Sequence, residues 1–373
     1  PEITYPLKVY VCKKCWLMQI PEYAKPEELF KADYAYFSST SKSWCLHAKN
    51  YVNQCIEKKI IDKKSFVVEI ASNDGYLLQY VQEKGINCLG IEPTFETSQI
   101  ARSKGINTLN KFFGEYLVDE LKQNHVGLNG ADLIIANNVI AHVPDVNDFV
   151  KGLASLVSDN GLISIEFPHL LKLLKLNQFD TIYHEHFSYF SLSTIKRIAL
   201  FAGLKIVRTE ELNTHGGSLR VWLMKNKSAY QIRDKNISKV LRKESEGKLE
   251  SIETYKKLQN EAEKIKNTLI EFLIHNKNKG SDVHAYGAAA KGNTLLNFAG
   301  VRSDLIKSIA DKSLSKQNKF LPGSHIPIIS PEDLFNQSPN KILIMPWNIA
   351  DEIKNEYRNY NFYTSIPYFR KIS

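Results

Sequence analysis

Between residues 183 and 190 the chain reads Tyr183-His184-Glu185-His186-Phe187-Ser188-Tyr189-Phe190, its densest group of titratable side chains. A His/Glu/His run could ligate a metal, but side chains at i, i+1 and i+2 do not share a helix face. A histidine that takes a proton near neutral pH, oriented by a neighbouring carboxylate, suits the pattern better. A second stretch with chemical content is Val67-Val68-Glu69-Ile70-Ala71-Ser72-Asn73-Asp74-Gly75-Tyr76-Leu77-Leu78. It lacks the G-x-G-x-x-G of a dinucleotide site. A pyrophosphate would want glycines and backbone N–H groups there, not Glu69 and Asp74. A cationic or zwitterionic ligand tolerates those carboxylates. Further along, Gly90-Ile91-Glu92-Pro93 puts a carboxylate where ribose hydroxyls are held, because an ionised carboxylate accepts from both. Ala136-Asn137-Asn138-Val139-Ile140-Ala141-His142 places amides and an imidazole after another apolar run. Turn chemistry alone also favours Asn there.

These groups need strands that end beside them. Phe66–Ile70 reads as a buried parallel strand, followed by Leu77, Leu78 and Val81 at helical spacing. Strands are expected at 66–71, 87–92, 132–137, 161–167, 204–210 and 218–225, with helices between the first five and a helix over 47–61 ahead of them. That alternation predicts a parallel, doubly wound α/β sheet, with ligands outside the carboxyl ends of its strands. Phe112-Phe113 suits either an adenine flank or core packing. Thr214-His215-Gly216-Gly217-Ser218-Leu219-Arg220 offers a tight turn, hydroxyls and a positive charge. Asp33–Trp44, rich in hydroxyls and aromatics, is either a loop packed over the core or a lid over a ligand.

Residues 228–278 are rich in Lys and Glu, and Leu249, Ile252, Tyr255, Leu258, Ala262 and Ile265 recur at helical spacing. One or two long helices joining two domains are expected. A second α/β unit opens at Val283-His284-Ala285-Tyr286-Gly287-Ala288-Ala289-Ala290-Lys291-Gly292. Its small-residue turn lets backbone N–H groups and a helix N-terminus approach an anion, with Lys291 adding charge. It is not a Walker motif. Strands over 305–310 and 341–346 would bring Asp311-Lys312-Ser313, His325 and Pro346-Trp347-Asn348 to a nucleotide.

The 373 residues suffice for two or three domains. With 43% apolar residues and no run long enough to span a bilayer, a soluble, cytoplasmic protein is expected. The net charge of +9, from 49 basic and 40 acidic side chains, raises nucleic acid as a partner. The lysines concentrate in the long helical region, so a solvated basic face is expected instead, with no nucleic acid or membrane partner. Cys12-Lys13-Lys14-Cys15 is half of a zinc ribbon site or an inert pair. Cys45, Cys55 or donors upstream could complete it. Five cysteines, an odd number, fit a reducing compartment.

The turn over Glu69–Gly75 resembles the first motif of S-adenosylmethionine methyltransferases, with Ala71 where many of them have glycine. Several motifs together resemble the nucleotide-sugar C-methyltransferases of deoxysugar biosynthesis over nearly the whole chain. They are Glu69–Tyr76, Asn137–His142, Tyr183–His186, His215-Gly216-Gly217-Ser218 with Arg220, Gly287–Gly292 and Pro346-Trp347-Asn348. The resemblance implies a Rossmann-like methyltransferase domain, a second Rossmann-like C-terminal domain and a small N-terminal zinc module, here with one C-x-x-C pair visible. The expected boundaries are 1–46 for the zinc-module remnant and lid, 47–227 for the methyltransferase domain, 228–279 for a helical linker and 280–373 for the sugar-nucleotide domain.

By the same resemblance, the reaction is methyl transfer to carbon 3 of a 4-keto-6-deoxyhexose on a nucleoside diphosphate, commonly dTDP. A base removes the proton beside the ketone and donors hold the developing oxyanion. His186 is expected as the base and Glu185 as its orienting group. Tyr183 and His142 would position the sugar or donate to the enolate oxygen, and Tyr36 would close the site. Glu69, Ala71, Asn73, Gly75, Glu92, Pro93, Phe113, Asn137 and Asn138 would hold S-adenosylmethionine. His215, Arg220, Gly287, Ala288, Lys291, Asp311, Lys312, His325, Trp347 and Asn348 would hold the sugar nucleotide. Cys12 and Cys15 would bind a structural Zn2+, in a monomer or small homo-oligomer. The competing readings are a non-catalytic nucleotide-sugar or adenosyl-ligand binding protein, an O-methyltransferase and a nicotinamide oxidoreductase. The Glu69–Gly75 turn argues against the last.

Overall fold

The computed structural model describes residues 2–30, 37–229 and 234–372. The chain forms two compact units. One comprises Val9–His169 and Glu185–Glu246; the other comprises Pro1–Lys8, Leu170–His184 and Gly247–Ser373. Among the described residues, no helix is long and apolar enough to cross a membrane.

The first unit opens with a hairpin, β1 (Tyr10–Val11) and β2 (Met18–Gln19), whose turn carries Cys12 and Cys15. Helix α1 (Lys42–Glu57) follows, capped where Ser41 accepts the Trp44 N–H at 3.3 Å. It buries Ala48, Tyr51, Val52 and Cys55, the one-sided spacing of an amphipathic helix. It starts and ends about five residues earlier than the 47–61 expected, because the Ser41 cap sets its first turn.

Alternation then runs through β3 (Phe66–Ile70), α2 (Leu78–Gln82), β4 (Asn87–Ile91), α3 (Phe95–Ser103), β5 (Thr108–Leu109), β6 (Ala131–Asn137), α4 (Val146–Leu156) and β7 (Val157–Pro168). It continues with β8 (Ser188–Tyr189), α5 (Leu192–Phe201), β9 (Leu204–Leu212), β10 (Ser218–Lys225) and α6 (Lys235–Glu246). Seven strands form one sheet in the order β5-β4-β3-β6-β7-β10-β9, while β8 pairs with β2 in a small sheet. Core side chains alternate between the two faces. Val68, Ile70, Ile134 and Ala136 pack on one side; Val67, Leu133 and Ile135 pack on the other, against α1.

The sheet is mixed rather than wholly parallel: β10 runs antiparallel to both β7 and β9. The reason lies in residues 213–217. A connection that short, with Gly216 and Gly217 both at positive φ, can close a hairpin but cannot hold a crossover helix. The parallel part reverses its winding between β3 and β6, so their carboxyl ends flank the crevice where such sheets take ligands.

The stretch expected as one linker divides. Helix α6 belongs to the first unit, whereas α7 (Ile252–Asn278) belongs to the second and buries Tyr255, Ala262, Ile265, Leu269 and Leu273. The second unit continues with β11 (His284–Tyr286), α8 (Ala290–Ala299), β12 (Ile309–Ala310), β13 (Ile328–Ile329), β14 (Ile342–Ile344), β15 (Phe362–Thr364) and β16 (Arg370–Lys371). The order is β13-β12-β11-β14-β15-β16, parallel except for the antiparallel edge strand β16. This is a doubly wound order that reverses between β11 and β14. Strands of two or three residues leave little periodicity to read, and β13, β15 and β16 were not anticipated.

Candidate functional site

The loop after β3 is built from left-handed residues. Ala71 (φ 54°), Asn73 (φ 51°) and Gly75 (φ 76°) turn the chain sharply off the strand. Gly75 suits that backbone, and a Cβ there would lie 2.3 Å from Ile106 Cδ1, so that side chain would have to shift. Glu92, at the end of β4, is 4% exposed. It accepts the Asn73 N–H at 2.9 Å on Oε2 and the Thr94 N–H at 2.9 Å on Oε1. Burial raises its carboxyl, while those bonds pull the other way. Pro93 and Glu92 offer their carbonyls to the Asn110 amide, at 2.8 and 2.9 Å. Glu69 is buried with Oε2 unpartnered, and burial pushes its carboxyl well up, opposed by a bond from Tyr76.

Sequence reasoning missed the clasp on this loop. Ser38 donates its N–H to Asn73 Oδ1 at 2.8 Å, and Ser39 bonds Asp74 through both N–H and hydroxyl. Lys104 balances Asp74 at 3.3 Å. Asn137 Oδ1, both polar atoms of the Asn138 side chain and Ser72 Oγ are buried without partners. Unpaired buried polar atoms carry a cost, and here they gather with Glu69 at the β3/β6 crevice. That donor and acceptor set fits the amino-acid and ribose parts of S-adenosylmethionine. Phe113 meets Phe149 edge to face at 5.5 Å and packs on the core.

Beyond β6, His142 and His186 meet edge to face with ring centroids 4.7 Å apart. Phe30 contacts His142 at 5.6 Å and Tyr189 contacts His186 at 6.1 Å. Burial lowers the His142 imidazole to about 4, against a smaller opposing effect of the Glu185 backbone, and its Nδ1 is buried without a partner. The four-residue motif straddles the boundary between units: Tyr183 and His184 fall in the second, Glu185 and His186 in the first. His184 bonds the Pro6 carbonyl at 3.1 Å and contacts Tyr5. Tyr36 lies outside the described residues.

At the carboxyl end of β7, Glu166 is fully buried. Its Oε2 accepts from Arg220 at 2.7 Å and lies 3.0 Å from His47 Nε2; its Oε1 accepts from the Thr214 hydroxyl at 3.0 Å. Arg220 also lies 4.4 Å over the Tyr51 ring and 3.6 Å from Glu210. Arg220, expected to meet substrate, is thus a buried partner of two carboxylates, because its strand places it opposite Glu166 in the β7–β10 register. His215, at φ 51°, packs edge-on to Trp44 at 5.0 Å.

Cys12 and Cys15 sit on the hairpin turn. The backbone N–H groups of Cys15 and Lys14 lower the Cys12 thiol, an arrangement that suits a thiolate ligand. Cys45 and Cys55 do not join them. Cys45 bonds the Ser39 carbonyl at 3.6 Å and Cys55 is buried in the core. Among the described residues no three metal-binding side chains converge, so these supply half of a tetrahedral set.

In the second unit, Gly287 (φ 90°) turns off β11 where a Cβ would lie 2.4 Å from Pro346 Cδ. The Ala288 N–H donates to Asp311 at 2.8 Å. Lys291, in the first turn of α8, bonds Asn348 Oδ1 at 2.9 Å and lies 4.7 Å over the Trp347 ring. Trp347 donates its indole N–H at 2.7 Å to Asp180, a buried carboxyl that sequence reasoning did not pick. Burial pushes Asp180 up to about 7, with Lys291 opposing; burial lowers Lys291. Lys312 pairs with Glu356 and His325 with Glu2, both exposed. Neither is drawn into the Lys291 group.

Three family models match the chain. A "Methyltransferase domain" model matches residues 36–209, a "C-methyltransferase C-terminal domain" model matches 213–365, and a "Putative zinc binding domain" model matches 1–30. C-methyltransferase NovU of Streptomyces niveus is 33% identical over 377 residues, covering 100% of this chain and 89% of its own length. Among solved structures, magnesium protoporphyrin IX methyltransferase of Synechocystis PCC 6803 with bound S-adenosylmethionine aligns at 15% identity and TM-score 0.37, over 48% of this chain and 79% of that one. The PH0226 protein of Pyrococcus horikoshii OT3 aligns at 13% identity and TM-score 0.41, over 52% and 99%. The full-length match to NovU, with the methyltransferase and C-methyltransferase models lying side by side, means that this chain belongs to the C-methyltransferase family and is an S-adenosylmethionine-dependent C-methyltransferase.

Proposed function

We propose that the enzyme methylates carbon 3 of a nucleotide-linked 4-keto-6-deoxyhexose, with dTDP as the nucleotide, through an enolate. The observation that carries this is the His142–His186 pair at the ligand edge of the first sheet, 4.7 Å between rings. Carbon methylation needs a carbon acid, and a proton beside a ketone is removable because the charge moves to oxygen. Bound at the β3/β6 crevice, S-adenosylmethionine supplies an electrophilic methyl group. The chain's own part is to take the proton, hold the oxyanion and align the two carbons.

His186 takes the proton from carbon 3 and Glu185 tunes it. His142, kept neutral by burial, serves as a hydrogen-bonding wall rather than as a cation. Tyr183 and the second unit hold the sugar nucleotide, with Lys291, Trp347, Asn348 and the Gly287–Ala288 turn as contacts. The protein works in the cytoplasm, with Cys12 and Cys15 as half of a structural zinc site.

The test is to incubate the enzyme with S-adenosylmethionine and candidate 4-keto sugar nucleotides, with product mass and methyl position read by mass spectrometry and NMR. Deuterium entering carbon 3 from solvent, without a methyl donor, is expected; an O-methyltransferase or a binding protein would give none. His186→Asn should lose about 100- to 10,000-fold in exchange while both ligands still bind. Exchange at the wild-type rate in His186→Asn, but not in Glu185→Gln, would transfer the role to Glu185.

A further inference from the structure

His142 and His186 stand on short segments that cannot hold themselves in place. Strand β8, just past His186, has 2 residues, and both Ser188 and Tyr189 are buried. Buried backbone groups need partners, which so short a strand must find elsewhere. The partners meet at Phe187. Its N–H donates to the Ala141 carbonyl at 2.8 Å, and its carbonyl accepts the Ile20 N–H at 3.0 Å. Ala141 immediately precedes His142, and Phe187 immediately follows His186. The first bond therefore ties the backbones of the two histidines together, and the second ties both to the N-terminal hairpin. The pairing continues in register, with Gln19 opposite Ser188 and the fully buried Met18 opposite Tyr189. Tyr189 is the ring that packs on His186.

The same N-terminal stretch reaches the other imidazole, because Phe30 packs on His142. Phe30, His142, His186 and Tyr189 thus make a continuous series of edge-to-face contacts, with 79°, 68° and 78° between successive planes. Such contacts favour an orientation as well as a distance. The hairpin is pinned at its far end too. Arg197 of α5 donates to the Lys14 carbonyl at 2.6 Å, and the Thr194 hydroxyl donates to the Cys15 carbonyl at 3.4 Å. Although a zinc-binding model matches residues 1–30, Val9–Phe30 form no separate body and belong to the first unit.

We infer that Met18–Phe30 is a positioning element for proton removal, an inference that rests on the reading of His186 as the base. Ile20 acts through Phe187 and Phe30 acts through His142, and together they set where the two imidazoles stand. Neither side chain can exchange a proton, so the effect is geometric. A misplacement of about 1 Å at a reacting group can cost about 100-fold in rate. The loop after β3 is held by other partners, Glu92 and the Ser38–Ser39 backbone. Cofactor binding should therefore survive changes at Ile20 or Phe30 that disable the base.

The decisive measurements use the full chain and the dTDP-linked 4-keto-6-deoxyhexose. Ile20→Pro removes the N–H that Phe187 accepts; Phe30→Ala removes the ring against His142, and Phe30→Tyr keeps it. Ile20→Pro and Phe30→Ala should each lose about 30-fold or more in kcat and in solvent deuterium exchange at carbon 3, with the Michaelis constant for sugar nucleotide within about threefold of wild type and S-adenosylhomocysteine affinity within about twofold. Phe30→Tyr should restore exchange to within about threefold of wild type, since the edge-to-face contact is kept. Amides of the peptide 185–190 should exchange at least about tenfold faster in Ile20→Pro, read by mass spectrometry, because their brace is gone. If Ile20→Pro fails to fold, the two Phe30 variants decide alone. Carbon 3 exchange in Phe30→Ala within about threefold of wild type overturns the assignment and leaves the enolate reading intact. S-adenosylhomocysteine affinity that falls in step with exchange in Phe30→Ala marks a general loosening of the fold and overturns it as well. Absence of exchange in wild type overturns the enolate reading itself.

Discussion

His142 and Asp180 make opposite demands on pH. The folded His142 titrates at about 4, below the ordinary value of 6.5, because burial disfavours its cation. Above pH 6.5 neither state is protonated there and the residue contributes nothing to pH dependence. As pH falls toward 4 the unfolded chain binds the proton first, so stability drops by up to ~3 kcal/mol. His142→Asn should remove that acid-side slope, as read by urea midpoints between pH 4 and 7; an unchanged slope would place the effect elsewhere. Asp180 has the reverse sign. Its folded carboxyl titrates at about 7 against 3.8, so the folded state holds the proton more tightly. The cost appears as pH rises from 4 to 7 and then levels off. Asp180→Asn, which keeps an acceptor for the Trp347 indole, should flatten the wild-type decline over that range. The same substitution leaves Lys291 without a neighbouring anion, so affinity for a nucleoside diphosphate should rise above pH 7, measured by calorimetry; a fall would mean that Asp180 itself contacts the ligand.

The loop after β3 shows how far an element can be read in advance. Its acidic, amide-bearing turn was legible because Glu69, Asp74 and Gly75 are consecutive-range features of one strand–turn–helix unit. Its clasp was not: Ser38 and Ser39 reach Asn73 and Asp74 across 35 positions, and His47 reaches Glu166 across 119. Spacing rules operate within an element, whereas these pairs exist only once α1 lies on the sheet. The β9–β10 hairpin is an intermediate case: both strands and the Gly216-Gly217 turn are visible in the sequence, while their antiparallel direction follows from the shortness of the 213–217 connection. Ala71 is the position where an element-scale test is sharpest. A side chain at φ 54° costs about 1–2 kcal/mol relative to glycine in that conformation. Ala71→Gly should therefore raise the thermal midpoint, by a shift equivalent to ~1 kcal/mol, without loss of S-adenosylhomocysteine affinity. Glu92→Ala should do the reverse: it frees the buried Asn73 N–H as well as removing a ribose acceptor. Calorimetry should show S-adenosylhomocysteine binding weakened by ~1–3 kcal/mol.

At the scale of the whole chain, the second unit is not a C-terminal appendage. Residues 170–184 leave the first unit after β7, contribute to the second and return before β8. Within the second unit, Phe179 packs edge to face on Phe298 at 5.4 Å, Thr294 donates to the Ile182 carbonyl at 3.3 Å, and Asp180 accepts from Trp347. A fragment of 247–373 would lose all three and expose the apolar surface that Phe179 covers, a substantial part of the stability of a small domain. Joining 170–184 to that fragment through a flexible Gly/Ser linker should restore them, because linker entropy grows only slowly with length. Conversely, His169 and Phe190 are bridge partners within the first unit, so residues 9–169 joined to 185–246 through a short flexible linker should still bind S-adenosylhomocysteine. Circular dichroism melts of the three constructions decide it: 247–373 alone should melt broadly or well below its 170–184 fusion. Equal, cooperative melting of both fragments would show that residues 170–184 only pass over the second unit without contributing to its core.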